Sequence, residues 1–225
     1  MKTSKSWMFA AILFCGTSMS AQAQDYNETK NEISVSIGSG TNTQIINAFS
    51  EMFSVMGEAL ITGTMTGGKY VGTTTYGDES YFPPISVEYF RHLNKLVSIG
   101  GIAAFNGYSR DMYCNWQDTE TGRKTEEKIG KGKKYFATVM PAVKFDWLRK
   151  KNFGLYSKAA IGLTYMYEKQ VQNEGDKKVH DDKDFMLNFQ ASLLGVEAGS
   201  EKVRGFAEFG FGEQGILQAG IRYKF

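Results

Sequence analysis

From residue 81 onward the chain alternates apolar and polar positions with a period of two, in runs separated by polar turns. This is the pattern of strands with one apolar and one polar face. In the run 85–93, Ile85, Val87 and Tyr89 oppose Ser86, Glu88 and His92; in 96–109, Val97, Ile99, Ala103 and Phe105 oppose Ser98, Gly100, Ala104 and Asn106. Runs at 135–148, 153–169, 185–199, 203–212 and 215–225 follow, and "NEISVSIGSG" (31–40) precedes them as a shorter one, making eight. The phase slips at Leu193-Leu194-Gly195, which predicts a bulge. Pro141 interrupts the run 135–148 and has no N–H for the ladder, so a bulge or a missing hydrogen bond is expected there.

The connections sort by length. "LNK" (93–95), "RKKN" (149–152) and "SEK" (200–202) are tight, whereas 41–80, 110–134 and 170–184 are long; "GEQG" (212–215) is short where the order calls for a long one. An even-numbered meander with tight turns at one end and long connections at the other predicts a closed antiparallel up-and-down β-barrel, all-β, with both termini at the tight-turn end. The segment 110–134 reads as a long loop or an extended hairpin, 170–184 as a charged loop, and 62–78 as a Gly/Thr-rich linker able to pair as hairpin strands. Residues 41–63 are helical in period: Ile45, Ile46, Phe49, Met52, Phe53, Met56 and Leu60 recur at three and four, with N-cap candidates at Thr41 and Thr43. In the first long connection, such a helix could pack on the barrel rim, the plainest reading, or meet a membrane surface or a partner.

Alternation alone leaves open which face is wet, because a soluble lipocalin-like carrier is also an eight-stranded barrel, apolar inside. Three features point the apolar face outward into lipid. The polar face is rich in small residues (Gly100, Ala104, Ala142, Ala160, Gly162, Ser192, Gly210), as an eight-stranded interior requires. It carries both signs of charge at Glu88, Lys144, Lys158, Glu208 and Arg222, which inside a narrow barrel would have to pair. Aromatics on the apolar face, including Tyr89, Phe105, Tyr135, Trp147, Tyr165, Phe211 and Tyr223, gather near strand ends as interfacial girdles do.

The first residues change the domain picture. Lys2 and Lys5, an apolar stretch from Trp7 to Phe14 and Ala21-Gln22-Ala23 have the layout of a secretory signal peptide at 1–23, leaving one domain at 24–225. Cys15 follows the bulky Phe14, which argues against a lipoprotein signal. The chain holds 26 Lys and Arg against 24 Asp and Glu; the leader takes Lys2 and Lys5 with it, so the rest is balanced and offers nothing to nucleic acid. Cys114 would then stand alone, excluding an intrachain disulfide and cysteine-pair metal sites. No later stretch is long and apolar enough for a transmembrane helix, but a spanning strand needs only ~9–11 residues.

The leader, the strand series from 81 to 225 and the closing alternation of Ile221, Tyr223 and Phe225 resemble the small eight-stranded outer-membrane β-barrels of Gram-negative bacteria, of the OmpX and OmpA-membrane-domain kind. The resemblance implies residence in the cell outer membrane, periplasmic termini, contact with outer-membrane lipid, and recognition of Ile221, Tyr223 and Phe225 by the outer-membrane assembly machinery. It implies an envelope-structural or surface-interaction role without catalysis or cofactor.

Candidate chemistry is sparse. His92 reads as a rim histidine beside a tight turn; His180 lies in "DKKVHDDKD" (176–184) with Asp181 and Asp182, a charged loop with no second histidine at metal-ligand spacing. A lipid-modifying enzyme at the outer rim would need His180 and a serine such as Ser109 to converge. Glu88, Lys144, Lys158, Glu208 and Arg222 could line an ion path, but eight strands leave little bore, and a structural salt-bridge network is the expectation. No catalytic context surrounds Cys114.

Overall fold

A computed structural model describes residues 29–172 and 179–225; the signal segment and its cleavage site lie outside the described residues. The strands are β1 (Asn31–Ser39), β2 (Tyr70–His92), β3 (Val97–Asp118), β4 (Lys124–Arg149), β5 (Phe153–Gln172), β6 (Val179–Gly199), β7 (Val203–Gly212) and β8 (Leu217–Lys224), with helix α1 (Asn42–Met65) between β1 and β2. Each strand pairs antiparallel with the next and β8 returns to β1, closing an eight-stranded barrel. At the seam, Asn31 N–H donates to Phe225 O and Phe225 N–H to Asn31 O, both at 2.8 Å. The closing alternation is therefore a wall strand paired on both sides.

The wall has two heights. β7, β8 and β1 are 10, 8 and 9 residues long, whereas β2 to β6 run 20 to 26 residues and continue past the barrel mouth as a tall sheet. The long connections are thus mostly strand, in line with the hairpin alternatives for 110–134 and 62–78. Residues 110–134 form the hairpin of β3 and β4 around a turn at 119–123, and 70–78 of the Gly/Thr segment belong to β2. The charged connection 170–184 is strand up to Gln172 and again from Val179. Their period is faint because the buried positions hold Arg110, Gly130 and Gly132 beside Tyr108 and Met112, while the facing positions are polar.

The bulge expected near Leu193 is present, with the β6–β7 register shifting between Ser192 and Leu194. At Pro141 the ladder loses contact without a bulge: Gly101 pairs with Pro141 across β3–β4, but the β4–β5 pairs pass from Val139↔Leu163 to Ala142↔Ala160 with equal spacing on both strands. A second irregularity, between Phe82 and Ile85 of β2, holds Pro83 and Pro84, just beyond where pairing with β1 ends at Ile37↔Ile85.

Strand alternation sends the two faces to opposite environments. Val139, Ile161, Leu187 and Ile221 are 64 to 78 % exposed on the outside, while Lys144, Glu88 and Arg222 inside have no exposure at all. The interior is not uniformly polar, however. Phe90, Ile102 and Met140 are buried there with Ala142 and Ala160, an apolar cluster of which the sequence reading turns only the two alanines inward. The small inward positions explain it: a Cβ on Gly162 would stand 2.1 Å from Val139 O and 2.9 Å from Met140 Cγ, so glycine lets strand and methionine close up.

Candidate functional site

The lumen is filled by a charge network centred on Lys158, which lies 2.5 Å from Glu88 Oε1 and 2.8 Å from Glu208 Oε2. Tyr156 donates to Glu208 at 2.7 Å and accepts from Arg222 at 3.2 Å, with the Lys144 and Arg222 cations 4.5 and 4.6 Å from its ring. Toward the tight-turn end a second tier joins Lys144 to Glu32 (2.6 Å) and Asp146 (3.3 Å), and Glu197 to Arg204 (2.6 Å), Arg222 (2.7 Å) and Lys224. Glu88, Lys144, Lys158, Glu208 and Arg222 therefore meet in one network. Glu32, Asp146, Glu197, Arg204, Lys224 and Tyr156 complete it. Parity could have found all of them, since each occupies an inward position, Tyr156 standing two residues before Lys158 on β5; the pairings among them have no such local sign.

His92 closes β2 beside the tight turn, but it turns inward and is not exposed. Its side chain is 4 % exposed, with Nε2 3.3 Å from Glu32 Oε2, and Nδ1 2.5 Å from Ser98 Oγ and 3.5 Å from Asp146 Oδ2. Serine, imidazole and acid stand in triad order, but Ser98 is fully buried and its neighbours are locked in ion pairs with Lys144. As built, this is a structural clasp.

The mouth is stoppered by the connection that looked too short. Glu213 and Gln214 fold inward and are buried; Gly212 and Gly215 on either side take φ +139° and +106°, conformations that favour glycine. Gln214 donates to Glu88 (2.7 Å) and Ser86 (2.8 Å). The Glu213 carboxylate accepts from Asn106 (2.6 Å), Asn188 (2.9 Å) and Thr43 Oγ1, and forms no ion pair among the described residues. Burial without a cation pushes its pKa above the ordinary carboxylate value, although these hydrogen bonds pull the other way.

Thr43 belongs to the first turn of α1, which begins in a capping box of Thr41 and Gln44. The helix rises along the free edge of β2. Edge N–H groups of Tyr70, Gly72 and Thr74 donate to Thr66 Oγ1 (3.1 Å), Thr62 Oγ1 (2.8 Å) and Glu58 Oε2 (2.6 Å). Glu51 forms an ion pair with Arg110, whose guanidinium lies 3.6 Å from the Tyr76 ring centre. Both helix acids thus face the sheet. The opposite side exposes Ile46, Phe49, Phe53, Met56 and Leu60, at 55 to 68 %, with no charge among them.

Ser109 and His180 are not neighbours in the sheet. Ser109 lies in the row Lys133–Lys169–Asp181, three strands from β6, or about 14 Å at the usual strand spacing, and His180 pairs with Gln170 in the adjoining row. The His180 side chain lies outside the described residues. Cys114 is free and partly exposed on the tall part of β3. Ile221, Tyr223 and Phe225 face outward on or just after β8, the last two rings stacked at 5.8 Å.

No family model and no curated protein matches the chain. Among solved structures it is similar to Ail, the attachment invasion locus protein of Yersinia pestis, with TM-score 0.39 and 14 % identity over 87 % of this chain and 99 % of that one. A structure of Ail with the heparin analogue sucrose octasulfate gives TM-score 0.36 and 12 % identity over the same shares.

Proposed function

We propose that the protein is a non-catalytic integral barrel of a bacterial outer membrane that meets other macromolecules through its tall sheet and α1. The observation that carries this reading is the inverted distribution of polarity: ion pairs fill the interior while Val139, Leu163, Leu187 and Ile221 cover the outside. Water would oppose such a surface, and hydrocarbon favours it. The low wall of 8 to 10 residues matches the ~9–11 that a tilted spanning strand needs. A lipid carrier would be apolar within, and this lumen is occupied by charge.

On this reading the tight turns and both chain ends face the periplasm, the tall sheet stands outside the cell, and the charge network is structural filling. Ile221, Tyr223 and Phe225 offer the assembly machinery its terminal signal. The uncharged side of α1, raised above the apolar belt, is the surface that supports a contact role: so many exposed apolar side chains on one helix mark an interaction face. Heat-dependent migration on a denaturing gel, together with extraction from membranes, tests the architecture. A closed barrel migrates differently before and after boiling and needs detergent for release. Release by carbonate without detergent, or one migration position throughout, overturns the reading.

A further inference from the structure

We infer that the outer wall of β2 to β5 holds a seat for one anionic phospholipid, its headgroup on Arg91 and an acyl chain in the groove beside it; this rests on the outer-membrane reading above. The groove, about 850 Å³, is lined by Tyr89, Arg91, Ile99, Pro141, Val143 and Ile161. Register shows how it arises. The outward row Tyr89–Gly101–Pro141 lies next to the row Arg91–Ile99–Val143–Ala159, so small residues at Gly101, Pro141 and Ala159 leave a trough between larger neighbours.

Arg91 gives the trough its polarity. It is exposed near the tight-turn end of β2, and among the described outward positions 85–91, 97–105, 137–147 and 153–163 of these strands it is the only charged residue. It forms no ion pair among the described residues. The Tyr89 hydroxyl beside it donates to Asn31 Oδ1 at 2.8 Å, which places polar groups at the same level. A cation that ends an apolar trough complements a molecule with an anionic head and a hydrocarbon tail. The volume falls within the ~300–1,000 Å³ of ordinary ligand sites, and guanidinium suits phosphate through paired N–H donors.

The experiment uses the barrel in detergent with phosphatidylglycerol or phosphatidylcholine added, and native mass spectrometry counts retained lipids. The wild-type protein should keep one phosphatidylglycerol in preference to phosphatidylcholine. Arg91→Gln should weaken that retention about tenfold, as expected for a lost charge-assisted contact near 1.4 kcal/mol. Gly101→Leu should abolish it by filling the trough; a Cβ there meets nothing nearer than Met140 O at 3.7 Å, so the wall need not move. Ala159→Leu fills it from another strand, and Leu217→Ala on β8, outside the groove, should change nothing. Equal retention of both lipids, retention insensitive to Arg91→Gln and both filling variants, or a dimer disrupted by those variants, overturns the seat. Heat-dependent migration measured on the same samples reports separately on the barrel.

Discussion

Glu58 of α1 accepts the backbone N–H of Thr74 at 2.6 Å, so a helix side chain occupies the place of a neighbouring strand. The contact repeats at Thr62 with Gly72 and at Thr66 with Tyr70. Four helical residues rise about 6.0 Å and two strand residues about 6.7 Å, so three successive matches are possible before the elements drift apart. An exposed sheet edge is open to unwanted pairing, and the helix covers it.

Replacing Glu58 with Ala and Thr62 with Val should uncover that edge. Each lost bond is worth about 0.5–1.5 kcal/mol, more for the charged one. Hydrogen exchange at Gly72 and Thr74 is therefore expected to quicken up to about tenfold per bond, with heat-dependent migration of the barrel unchanged. Unaltered exchange would mean that the helix is held elsewhere.

Lys158 is the sharpest test of the filled lumen. Lys158→Met takes the nearest cation from Glu88 and Glu208, leaving them Arg222 at 3.6 and 3.8 Å, and should destabilise the barrel by about 3 kcal/mol, read from urea midpoints in detergent. Adding Glu208→Gln should recover part of the loss, since contacting groups are non-additive.

Glu213 supplies a pH dependence. Its folded-state pKa lies above the ordinary value of 4.5, so the folded mouth binds its proton more tightly than the unfolded chain does. The stabilisation it gives is full below that value and is lost as pH rises through the raised one. Protection of α1 amides against exchange should fall over that window, and Glu213→Gln should flatten the response. A wild-type response that persists in the variant assigns it to another group.

Deleting Phe225 removes its two backbone bonds to Asn31 and its stacking on Tyr223. The shortened chain should lose about 1–3 kcal/mol at the β1–β8 seam. In cells, the yield of heat-modifiable protein should fall further than this loss of stability explains if the final aromatic also serves assembly; refolding into detergent separates the two effects.

The alternation of Ile85, Val87 and Tyr89 with Ser86 and Glu88, and its recurrence to Phe225, determined the strands, the tight turns, the closed barrel and the identity of the inward charges. A two-residue period is a local property, written wherever the two faces of a strand meet different surroundings. The sequence also placed the helix and the bulge at Leu193. Tertiary structure alone decided that His92 is clasped between Glu32 and Asp146, that Tyr156 links Glu208 to Arg222, and that Glu213 stoppers the mouth beneath Thr43. Those pairings join residues up to 170 positions apart, and they follow from the stagger with which eight strands close, which no local pattern records. The tall sheet was legible only as the hairpin alternatives for 110–134 and 62–78, because its buried positions include Arg110, Gly130 and Gly132 as well as Tyr108 and Met112 and so carry little apolar period.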